Sequence, residues 1–196
     1  MLMKTIILIV MLLWVYSLSV FKRAKLDAFY FLMGSLGLFI ILVLWSKPYA
    51  VWLFSTIMTW GVGLVGDFFS TFSTLPLGHV IQVLYHERII LMNVDYECSG
   101  IVETAAFVSL ISFYPVFKVQ QRLWLALAGV AFIFIANILR LTFVSTSLHL
   151  FGSDSFFLAH SILGRLLFYV LMLTFYFTIF TRGQLIQVAS QNRETV

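Results

Sequence analysis

The chain has 196 residues, of which 62% are hydrophobic and 10% charged, with a formal net charge of +4. A soluble domain carries about 45–50% apolar and about 25% charged residues, so this composition, with a mean hydropathy of +1.04, excludes an aqueous domain of any size and marks one integral membrane domain. The few positive charges are scattered over short loops with no basic cluster among aromatics; they read as a topology signal and an attraction to the lipid bilayer, with no nucleic-acid partner.

Residues 5–21 follow Lys4 and are almost wholly apolar. They begin like a signal peptide, but the run outlasts a signal core and no small-x-small cleavage site follows, so a retained first span is expected. Lys22, Arg23, Lys25 and Asp27 form a loop before a second span over 28–45, where Gly34 and Gly37 permit close helix contact. Ser46-Lys47-Pro48 reads as a turn, because proline disfavours helix in the residue before it. A third span is expected over 49–65, with Trp45, Trp52 and Trp60 at or near interfaces.

From Gly66 to Glu97 the composition turns polar, punctuated by Pro76 and Gly78. His79 to Leu84 and Arg88 to Val94 are β-rich runs around Tyr85-His86-Glu87, which predicts a strand pair lying on the membrane surface. It delivers the chain to Cys98. The fourth span is expected over 101–116, with Pro115 near its end, and the fifth over 123–139, ending at Arg140 after the basic loop of Lys118 and Arg122. Leu141 to Ala159 reads as the fifth helix continuing to the interface, then a loop capped at Ser153 or Asp154. The sixth span covers 160–180, and Arg182 opens a polar tail. The expected fold is an all-α polytopic bundle of about six spans with a small β-rich extracytoplasmic segment. Six spans put both termini on one side. With that side cytoplasmic, Lys4, Lys47, Lys118, Arg122, Arg182 and Arg193 lie inside, whereas Lys22, Arg23, Lys25 and Arg88 oppose the rule outside.

Cys98 is the only cysteine. It can form no intrachain disulfide and is too little for a thiolate metal cage, which leaves a small buried hydrophobe or a nucleophile. Ser99 and Gly100 beside it are small enough to admit a close approach. Cys98 starts the fourth span, Arg140 ends the fifth and His160 starts the sixth, so alternating spans bring all three to one face. A histidine can take a thiol's proton and later protonate a leaving amine, while an arginine fork can hold an oxyanion. Together these make a thiol acyl-transfer site. Asn137 lies on the helix face of Arg140 and could orient it or the substrate; Gly164, one turn after His160, lets a neighbouring helix pack close. Taken singly, Arg140 reads as a snorkelling side chain, His160 as an interfacial histidine and Asn137 as a hydrogen-bonding residue between helices.

Cys98-Ser99-Gly100-Ile101, then Asn137-Ile138-Leu139-Arg140, then His160 with Gly164 four later, resemble the exosortase/archaeosortase signature, over roughly 78–180. The resemblance implies a membrane-embedded cysteine transpeptidase that cuts a C-terminal sorting signal of an exported protein near the outer surface of the plasma membrane and passes the acyl group to an acceptor, polysaccharide or lipid-linked. It implies Cys98 as nucleophile, Arg140 as oxyanion or carbonyl stabiliser and His160 as acid/base, without cofactor or metal. The chain is short for the family, and Glu97 stands where a small residue is common; Glu97 or nearby Glu103 could raise the thiol pKa or assist His160. Two other classes compete. His86-Glu87-Arg88-Ile89-Ile90 begins like a zinc-protease motif but lacks the second histidine, and His79, His86, Asp95 and Glu97 remain possible cation ligands. A non-catalytic subunit or transporter-like accessory of polysaccharide export would need none of the three residues to be reactive.

Overall fold

Apolar runs free of interior proline become helices, because a helix satisfies its backbone groups within its own segment. The computed structural model describes residues 2–47, 49–86 and 88–194, with side chains described over 9–47, 49–86 and 88–181. Pro48 and Glu87, each part of an expected turn, lie outside the described residues. The chain is mostly helical: α1 (Leu2–Arg23), α2 (Asp27–Trp45), α3 (Tyr49–Phe69), α4 (Ile101–Phe113), α5 (Val119–Phe151) and α6 (Gly164–Glu194). Among the described residues four helical stretches are long and apolar enough to cross a membrane: α2, α3, α5 and Ser153–Thr181. This is a multi-pass membrane protein. Of the six spans expected, α4 has 13 residues, fewer than the roughly 20 of an upright crossing. The tail from Arg182 does not leave the helix, since α6 continues to Glu194.

The polar stretch gives three strands where two were expected. β1 (Phe72–Leu75), β2 (Val80–Tyr85) and β3 (Arg88–Asn93) form an antiparallel sheet in the order β1-β2-β3. β1 is four residues long and follows a helix, too short for a periodic signal. One sheet face packs inward through Phe72, Ile81, Val83 and Met92, joining Cys98, Leu141, Val144, Leu148 and Ala159 in one core cluster. A second cluster holds Phe107, Ile133, Ala136, Phe168 and Met172 from α4, α5 and α6.

Contacts between helices divide the molecule into two layers. Gly34 of α2 meets the Phe113 ring of α4, Gly37 meets the Trp14 indole of α1, and Gly129 of α5 meets Phe107 of α4. Phe31 and Tyr114 pack edge to face, as do Tyr114 and Phe180 of α6. One layer is formed by α1, α2, α4, the first half of α5 and α6, and α3 joins it to the sheet by packing on α5, Phe54 against Phe134 and Gly61 against Ile138. The sheet runs back along α3 instead: Gly66 meets Phe72, Gly63 meets Thr74, and Thr56 Oγ1 lies 2.9 Å from His79 Nε2. The second half of α5 covers the other side, where His149 Nδ1 lies 2.6 Å from the Leu84 carbonyl. The α2–α3 corner and the Cys98 segment meet at the boundary, with Lys47 Nζ 4.8 Å from the centre of the Tyr96 ring.

Candidate active site

β3 ends at Asn93, and the chain turns at once: the Cys98 N–H donates to the Asp95 carbonyl at 3.1 Å, and Ser99 Oγ to the Tyr96 carbonyl at 3.0 Å. Gly100 then opens α4 at φ 75°, a left-handed conformation that glycine takes without strain. A Cβ there would stand 3.3 Å from Asn137 Nδ2. The same Asn137 nitrogen donates to the Cys98 carbonyl at 2.6 Å. The nucleophile segment is thus fixed by a turn, a glycine and a buried amide from mid-α5. Cys98 is only 4% exposed.

His160 arrives from the other side of α5. Gly152 ends that helix, a short 3-10 turn over Ser153–Ser155 follows, and Phe157–Leu163 winds as a π-helix leading into α6. Such wide turns are uncommon and often mark functional positions. His160 Nε2 stands 3.8 Å from Cys98 Sγ. The ring stacks on Phe156, four residues earlier, at 5.1 Å between centroids and 6° between planes. Its Nδ1 is buried and has no hydrogen-bond partner among the described residues, so stacking and the π turn set the ring plane. Cys98 and His160 are therefore in contact, with no polar group orienting the ring among the described residues. Gly164 sits where a Cβ would come within 2.9 Å of Val144 Cγ2 and 2.8 Å of the Ala159 carbonyl. The missing side chain lets α6 start tight against α5.

Arg140 is 4% exposed, and its Nε has no hydrogen-bond partner among the described residues. The guanidinium carbon lies 5.9 Å from the centre of the Phe168 ring. As expected from the sequence, α5 continues past Arg140, to Phe151, and its burial argues against a snorkelling side chain. A buried polar group without a partner costs about 1–3 kcal/mol, which points to an acceptor supplied from outside the chain. Arg140 borders a cavity of about 210 Å³ that Glu97, Glu103 and Arg165 also line. Arg165 Nη2 lies 3.4 Å from Glu97 Oε2, both side chains being substantially exposed. Sequence reasoning missed that pairing and the Phe156 stack; the four-residue spacing of Phe156 and His160 was the only available signal.

Burial pushes the Cys98 thiol up to about 11, with Arg140 pulling it down and Asp95 and Glu97 adding to the rise. At neutral pH the resting thiol is protonated, so nucleophilic attack requires a base at the moment of reaction. His160 Nε2, 3.8 Å from the sulfur, stands where it could accept that proton. Cys98, His160, Asn137 and Arg140 come together at the turn that follows β3. A family model described as transmembrane exosortase matches residues 2–177. The chain belongs to the transmembrane exosortase family. No curated protein and no solved structure gives a significant match. In this exosortase-family chain the Cys-Ser-Gly, Asn-x-x-Arg and His-x-x-x-Gly elements come from the turn before α4, from mid-α5 and from the π segment.

Proposed function

We propose that this protein is a membrane-embedded cysteine transpeptidase that cleaves a C-terminal sorting signal of exported proteins at the extracytoplasmic side of the plasma membrane. The observation that carries the reading is the 3.8 Å approach of His160 Nε2 to Cys98 Sγ, beside a buried arginine whose Nε has no hydrogen-bond partner among the described residues. His160 takes the thiol proton as Sγ attacks the scissile carbonyl and the C–S bond forms. The oxyanion of the tetrahedral intermediate is the acceptor that Arg140 Nε lacks. The intermediate collapses, the C–N bond breaks, and His160 returns its proton to the leaving amine. An acceptor nucleophile, polysaccharide or lipid-linked, then attacks the thioester; His160 removes its proton and passes it back to sulfur.

The packing of the sheet along α3 supports one membrane placement. An open-edged sheet packed along α3 would leave strand N–H and C=O groups unsatisfied in hydrocarbon. In our reading α1, α2, α5 and α6 cross the bilayer together with the 13-residue α4, whose short length local thinning of the bilayer accommodates. Meanwhile α3, although long and apolar enough to span, stands with the sheet on the site's side, giving five crossings in place of six. Lys22, Arg23, Lys25, Lys118, Arg122, Arg182 and Arg193 then gather at the end opposite the site, against Lys4, Lys47 and Arg88 on its side. That distribution supports a cytoplasmic far end and an extracytoplasmic Cys98.

The direct test is the acyl-enzyme. Membranes from cells exporting native substrates should yield a Cys98 adduct that neutral hydroxylamine releases. Cys98→Ala should give no adduct and should accumulate unprocessed precursors. Normal processing by Cys98→Ala would leave the chain as a non-catalytic accessory.

A further inference from the structure

We infer that the free edge of β3 is the binding strand for the substrate, which docks as a fourth strand beside it before reaching Cys98. This rests on the peptidase reading above. β3 pairs only with β2 among the described residues. The Val94 N–H donates to the His79 carbonyl at 2.7 Å, so the 79–94 pair is a hydrogen-bonded one. Antiparallel ladders alternate, and the register continues through Ile81 with Met92, Val83 with Ile90 and Tyr85 with Arg88. The N–H and C=O groups of Ile89, Leu91 and Asn93 consequently face away from β2. Ile89 and Leu91 are 66% and 65% exposed, and Asn93 is exposed. An open row of backbone groups of this kind is a template for another strand.

The edge leads to the thiol. After Asn93, a single turn closed by the 3.1 Å hydrogen bond from Cys98 to Asp95 brings the nucleophile round, and such a turn spans less than about 7 Å between its end Cα atoms. At the hairpin end, a cavity of about 660 Å³ lies between the strands and the segment that carries His160, lined by Tyr85, Arg88, Ile90, Phe151 and Asp154. Outside the bilayer the outward amides of β3 are open to water, an extended polypeptide matches them at each second residue, and the edge leads within one turn to Cys98. The occupant is therefore the substrate chain near its cleavage site.

The probe is acetyl-Val-Ala-Val-Gly chloromethyl ketone, which alkylates Cys98 in native membranes, with two twins N-methylated at alternating positions of opposite parity. Only amides on the side facing β3 should matter. One twin should label about tenfold more slowly than the parent, the effect of losing one or two hydrogen bonds, and the other about equally fast. Leu91→Pro removes an outward N–H and no ladder bond, so it should erase the difference between the twins, while Leu91→Ala retains it. Iodoacetamide should alkylate Cys98 alike in all three proteins, which keeps folding and thiol reactivity separate from docking. Equal labelling by both twins, or a difference that survives in Leu91→Pro, overturns the inference. So does a fall in solubilised mass on Leu91→Pro, which would assign the edge to a second copy. The thioester test at Cys98 decides the peptidase reading independently.

Discussion

Arg140 carries the sharpest difference between a structural and a chemical role. A lysine there would keep the positive charge but lose the planar fork that can hold an oxyanion from two nitrogens. Losing one such donor costs about 2.7–4 kcal/mol, a hundred- to thousandfold in rate. Arg140→Lys should insert normally and process substrate at least about tenfold more slowly, measured as precursor-to-product ratio. Arg165→Lys should be milder, though it is not an inert comparison, because Arg165 pairs with Glu97 beside the nucleophile. The thiol gives a second residue-scale test. A free cysteine stops gaining reactivity above about pH 8.5. Here the folded state holds the protonated thiol up to about 11, so the deprotonated fraction keeps growing. Iodoacetamide labelling of Cys98 should climb about tenfold per pH unit through pH 9 and 10; a plateau below pH 8 would mean that the thiolate exists at rest.

At the scale of elements, three local devices hold the Cys98–His160 pair: the turn after β3, the glycine-opened start of α4 and the π segment before α6. The last depends on Gly164. An added Cβ would be 2.8 Å from a backbone carbonyl and 2.9 Å from Val144, and neither neighbour is a flexible tip. Overpacking of this kind costs about 1–3 kcal/mol and would push the π segment away from α5, taking His160 with it. Gly164→Ala should therefore cut processing about tenfold or more while the protein still inserts. Gly78→Ala is the comparison, since a Cβ there meets only Val80 at 3.9 Å, and should leave processing unchanged. Equal activity of the two variants would show that the pair tolerates a wider α5–α6 spacing.

For the whole molecule, the two-layer division predicts a topology that differs from six consecutive crossings. In a Cys98→Ser background, a membrane-impermeant maleimide should label Leu77→Cys in intact cells, since Leu77 is 84% exposed beside the sheet. Val119→Cys, 81% exposed at the far end of α5, should label only after permeabilisation. Lys22→Cys decides the crossing count. Six crossings put it outside with Leu77; α3 standing clear of the bilayer puts it inside with Val119.

Membrane residence, the polar approach to Cys98 and the identities of the candidate site residues were all legible in the sequence. Apolar runs of spanning length have few stable alternatives, and a lone cysteine stands out in a chain with four histidines. The β2 and β3 runs were legible too, because β-branched and aliphatic residues between turn signals favour strands. Other features were settled by tertiary packing alone. Apolarity marks α3 as long enough to span, yet it packs on the strands as well as on α5, and hydropathy does not record what a helix packs against. Arg140 taken alone looks like an interfacial anchor, until its burial between helices argues against a route to water. The π turn at His160, the Phe156 stack and the Glu97–Arg165 pair depend on how α6 meets α5 and the Cys98 turn. Those separations are fixed by glycines and ring contacts between segments distant in sequence, and local sequence preference carries no measure of them.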